Sequence, residues 1–147
     1  MPKLIIFAAC EKVIVDSTDN TISLMTLLGD IQVWVIPGTP VPKGTEAPMH
    51  WAAFALWQRD SDDEGKTYQS RCALISASGD LLVESVAPAF EMTRVGHNNT
   101  HKFSSFPVWE SGKCWLKLWL REAEGTQWAE VASYPIGVIH ISPPAPT

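Results

Sequence analysis

Residues 112–133 read GKCWLKLWLREAEGTQWAEVAS, and the alternation in their first half decides the fold. From Cys114 onward, Cys114, Leu116, Leu118 and Leu120 take one parity, while Trp115, Lys117, Trp119 and Arg121 take the other. A period of two marks a β-strand with one buried face, because successive Cβ atoms point to opposite sides of a sheet. The leucine side is the predicted core side. Glu122, Ala123, Glu124 and Gly125 then form a turn whose glycine is free to take positive φ, and a return strand follows.

Two registers of this hairpin keep the same faces. A four-residue loop places Trp128 opposite Trp119 and Glu130 opposite Lys117. A two-residue turn at Glu124-Gly125 instead sets Arg121 over Trp128 as a cation–π pair. A three-residue loop would turn Trp128 inward and Val131 outward, losing the apolar pairing of Val131 with Leu118 or Leu116, so it is disfavoured. The predicted outer face therefore carries Trp115, Lys117, Trp119, Arg121, Trp128 and Glu130. Each indole represents roughly 150 to 250 Å² of surface, so the face calls for a cover. A crossing segment of the same chain, a second subunit, or a stacked sugar or base would each supply one.

The chain has 147 residues, which suits one domain large enough to bury about two-thirds of its unfolded surface. Apolar residues make up 46% and charged ones 18%, a globular balance rather than a disordered one. A net charge of -5 argues against general nucleic-acid binding, whose affinity comes from basic groups neutralising phosphates. Cys10, Cys72 and Cys114 are odd in number, widely spaced and set in apolar runs. They read as buried thiols with no disulfide framework or zinc spacing, and a cytoplasmic location is the expectation. The opening MPKLIIFAAC has an apolar run shorter than the roughly 7 to 15 residues of a signal peptide, and reads as a strand. No stretch approaches the roughly 20 apolar residues of a membrane span, so no membrane partner is expected.

Strands are predicted over residues 4–10 continuing through 13–15, then 21–28, 31–36, 49–59, 68–77, 81–87, 89–95, 102–109 and 134–141. Gly29-Asp30 marks a bulge or turn, and Trp34 shares one face of its strand with Gln32, opposite Ile31, Val33 and Val35. Residues 37–48 hold four prolines and two glycines, and read as a long loop crossing between two sheets. The segment GHNNT over residues 96–100 reads as a loop. Regular strands with turn signals and no helix predict an all-β fold, an antiparallel two-sheet β-sandwich over residues 1–142. Residues 143–147 form a flexible proline-rich tail.

The GKCWLKLWL entry, preceded by FPVWESG, is similar to the penultimate strands of immunoglobulin-like and C2-like sandwiches, without their tyrosine corner or Cys-Trp-Cys set. CEKVIVD from Cys10 with NTISLM from Asn20, FPVWESGKCWL from Phe106 and YPIGVIHI from Tyr134 resemble a family of small uncharacterised bacterial proteins of unknown function. That resemblance implies a bacterial origin and a sandwich, and supplies no activity, cofactor or catalytic residue.

There is no GxSxG, phosphate loop or HExxH, and Glu11 beside Cys10 would raise rather than lower its thiol pKa. An enzyme, a cofactor and a resident metal are therefore not expected. Asp60, Asp62 and Glu64 before Gly65 faintly resemble a calcium loop, but the twelfth position is Arg71, and an exposed hairpin turn explains the same residues. His97 and His101 stand four apart with no acidic or thiol neighbour, and read as surface histidines. The leading expectation is a non-enzymatic binding or assembly module forming a homodimer, with Lys117 or Arg121 of one subunit meeting Glu130 of the other. A carbohydrate- or polymer-binding platform on the same tryptophans is the alternative, and a calcium-binding C2-like module is less favoured.

Overall fold

The computed structural model describes residues 1–144, so residues 145–147 of the expected tail lie outside the described residues. Ten strands follow one another: β1 (Lys3–Val15), β2 (Ile22–Leu27), β3 (Asp30–Trp34), β4 (Glu46–Gln58), β5 (Thr67–Ile75), β6 (Leu81–Val86), β7 (Phe90–Glu91), β8 (Gly96–Pro107), β9 (Gly112–Glu122) and β10 (Ala129–Ile141). They form a four-stranded sheet in the order β2-β1-β4-β8 and a six-stranded one in the order β3-β10-β9-β5-β6, with β7 beside β5. The fold is all-β and two-layered. Among the described residues no helix is long and apolar enough to cross a membrane.

The inward sets on β9 and β5 are the ones their alternation predicts. Cys114, Leu116, Leu118 and Leu120 are buried, as are Tyr68, Ser70, Cys72 and Leu74. All of these but Ser70 share one core cluster with Trp51, Ala53, Ala55 and Trp57 of β4. A buried leucine contributes about 1.5–3 kcal/mol relative to an exposed one, so the leucine row of β9 is a main anchor of this layer.

The pairing is not antiparallel throughout, because β3 runs parallel to β10. The cause is the corner at Leu28 and Gly29, where the chain leaves the edge of one sheet and enters the edge of the other. Leu28 N–H donates to the Ala9 carbonyl (2.8 Å), and Tyr134 Oη donates to the Leu28 carbonyl (2.6 Å), fixing that corner. The following loop crosses back between the sheets as expected, but β4 starts at Glu46 and takes in Pro48. The ladder tolerates this proline because the register shifts between Pro48 and Trp51. Asp60 to Gly65 joins β4 to β5 in the other sheet, so it is a crossing rather than a hairpin turn. Asp63 within it is buried, accepting from Tyr68 Oη (2.5 Å) and Asp60 N–H (2.8 Å). Burial raises its pKa, but these hydrogen bonds, with the Met1 ammonium 3.4 Å away, outweigh burial and hold the carboxyl below its usual value.

Two further expectations fail on the chain between β6 and β9. Only Phe90–Glu91 of the expected strand over residues 89–95 pairs, and GHNNT is the start of β8 rather than a loop. It forms a strand because Asn99, and His101 just beyond it, face partners inside the sandwich. Trp57 Nε1 donates to Asn99 Oδ1 (2.8 Å), and Ser70 Oγ donates to the same oxygen (3.3 Å). His101 has Nε2 3.1 Å from Ser70 Oγ and Nδ1 3.0 Å from Ser85 Oγ. All of these groups are satisfied when His101 carries its proton on Nε2. His101 is thus buried at 2% exposure, not a surface histidine, and burial pushes its pKa down to about 4. The His97 ring stacks on Phe90, with centroids 4.3 Å apart.

Candidate interaction face of the six-stranded sheet

The hairpin of β9 and β10 pairs Ala129 with Leu120 and Glu130 with Trp119, the register expected of a two-residue turn, although residues 123–128 lie outside both strands and no two-residue turn forms at Glu124-Gly125. Its turn closes through Gly125 N–H to the Glu122 carbonyl (2.8 Å). Gly125 does not take the positive φ expected of it, and a Cβ there would lie 3.1 Å from the Glu122 oxygen, a tight contact that glycine avoids. The register then shifts between Glu130 and Ala132, a bulge that leaves Val131 exposed. Val131 therefore does not pair inward with Leu118 or Leu116 as expected. Ala132 and Tyr134 take the inward places against Leu118 and Leu116.

All six residues expected on the outer face are on the side away from the leucines, half-buried or exposed. The cover comes from cations on the face itself. Arg121 Cζ lies 4.3 Å from the Trp128 ring centroid, and its Nη2 donates to Gln69 Oε1 of β5 (2.8 Å). Arg71 of β5, opposite Trp119, sets its Cζ 4.6 Å from that ring. Its own Nη2 pairs with Glu84 Oε2 of β6 at 2.9 Å. Lys113 Nζ lies 5.3 Å from the Trp115 ring. Lys117 Nζ meets Glu130 Oε1 at 3.1 Å within the same chain, a diagonal contact across the ladder. Each guanidinium is held both by a ring and by a polar partner, which fixes the indoles at a defined tilt.

Gln69, Arg71 and Glu84 were missed from sequence. The parity of Gln69 and Arg71 was legible, because they alternate with buried Tyr68, Ser70 and Cys72. That β5 lies beside β9 was not. Elsewhere, burial raises the pKa of all three thiols, those of Cys10, Cys72 and Cys114, which keeps them protonated. Asp60 spends an oxygen on Ser61 N–H, and no group of three or more His, Cys, Asp or Glu side chains among the described residues is placed to hold a metal ion. Comparison with protein-family models, curated proteins and solved structures finds no match.

Proposed function

We propose that the protein is a non-enzymatic binding or assembly module on an immunoglobulin-like or C2-like sandwich, and that it associates with a second copy through the outer face of the six-stranded sheet. One observation carries this reading: the indoles of Trp115, Trp119 and Trp128 share one sheet face, each with a cation against its ring. Side chains already ordered in the free protein lose little entropy when a partner docks, and Trp and Arg are the residue types that dominate protein interfaces. Sugar stacking is less favoured, because Trp119 and Trp128 already carry guanidinium groups on their rings.

Sedimentation velocity over a concentration series tests the proposal. The expected result is a reversible dimer that Trp115→Ala shifts toward monomer while the circular dichroism stays unchanged. A strict monomer at the highest concentration reached would overturn it.

A further inference from the structure

Charges that were expected to cross between subunits are engaged within the chain. Glu130 holds Lys117, Glu84 holds Arg71, and Gln69 holds Arg121. Two opposite charges on the same face make no ion pair among the described residues, namely Asp30 of β3 and Lys113 of β9. Gly137 of β10 lies between them, register partner to both. A Cβ there would collide with the Asp30 carboxylate as it lies, so the glycine leaves that carboxylate its place over β10. The result is a shallow groove of ≈ 450 Å³ floored by Gly137, with Asp30 and Lys113 on its walls and Pro135 and Ile139 along it. Trp115, 37% exposed, stands opposite Pro135 at the groove's side, and Ile139 is 38% exposed.

Resting on the dimer reading above, we infer that the contact between copies is centred on Gly137, with Asp30 of each copy paired to Lys113 of the other. Register supplies the geometry. A two-fold axis lying in the interface along β10 exchanges left and right across Gly137, and so carries each Asp30 over the opposing Lys113. The same rotation sets Ile139 against its own equivalent. It also brings Trp115 over the far side of Pro135, where β3 has not yet begun and the groove is open at Gly29. An apolar centre flanked by two reciprocal ion pairs is the usual make-up of a self-complementary interface. The pairs also fix the register, because sliding one copy along β10 would draw each Asp30 away from the opposing Lys113.

The test is a mixing experiment with two charge reversals, Asp30→Lys and Lys113→Asp. Each variant alone sets like charges across the axis, and its dimer dissociation constant should rise at least tenfold. Mixed in equal amounts, the two should form a heterodimer about as tight as the parent, which no attraction within one chain could produce. Asp30→Asn, which keeps the side-chain shape over Gly137, should weaken the dimer several-fold and guards against misfolding of the lysine variant. If the parent dimerises and Trp115→Ala weakens it, but both reversals dimerise normally or the mixture stays monomeric, the Asp30–Lys113 contact is wrong and the dimer reading survives. A parent that is monomeric throughout removes both.

Discussion

On the outer face of the six-stranded sheet, Arg71 lies against Trp119 with Glu84 at its end, in reach of water. At the seam between β8 and its neighbours, Trp57, Asn99, Ser70 and His101 join in a chain of hydrogen bonds inside the sandwich. Both clusters combine an indole with polar side chains, yet their energetics differ because their surroundings do. In water a lost partner is replaced by solvent, whereas in the core an abandoned donor keeps its full desolvation cost. The inner cluster is therefore a condition of folding. The outer one is free to be used for recognition.

The largest expected effect breaks the inner cluster. Asn99→Ala leaves the buried Trp57 Nε1 and Ser70 hydroxyl without their shared acceptor, and should cost about 4 kcal/mol in urea unfolding. A loss below about 1 kcal/mol would place this network with the exposed one.

A smaller effect comes from acid. His101 has a folded pKa of about 4 against 6.5 for the free side chain, because burial favours the neutral ring. Between those values the unfolded chain binds the extra proton. Its contribution is thus fully present above pH 6.5, falls as pH drops toward 4, and is lost below, a change of about 3 kcal/mol. Stability curves of the parent and His101→Gln should diverge across that window. Parallel curves would show that the ring is not held neutral.

The smallest effect is on the outer face. Arg71→Ala should cost about 0.5–1 kcal/mol, since it removes a partly exposed cation–π contact and a surface ion pair. It should nonetheless change the near-ultraviolet signal of Trp119. A loss as large as that of Asn99→Ala would erase the contrast between the two clusters.

How much of this was legible in the sequence differs along the chain for one reason. In β9 and β5 a strict period of two separates the buried row from the other one, so parity alone gives the strands and their faces, including the outward places of Trp115, Lys117, Trp119 and Arg121. In β8 the run GHNNTH is a strand whose Asn99 and His101 face inward, and polarity read as a loop signal misleads. No local pattern says that hydroxyls from Ser70 and Ser85 and an indole from Trp57 will meet those side chains. The bulge at Val131 belongs to the same class, because a single inserted residue reverses the parity of everything after it.

The amino-acid order by itself determined the all-β class, the approximate place of most strands, and the separation of indoles from leucines on β9. Each of these follows from a period of two acting within a few residues. Tertiary structure alone decided that β5 flanks β9, that β3 runs parallel to β10, and that Asp30 and Lys113 face each other across Gly137. Those facts depend on which strands become neighbours, and that choice is made by burying the shared core rather than by any segment's own preference.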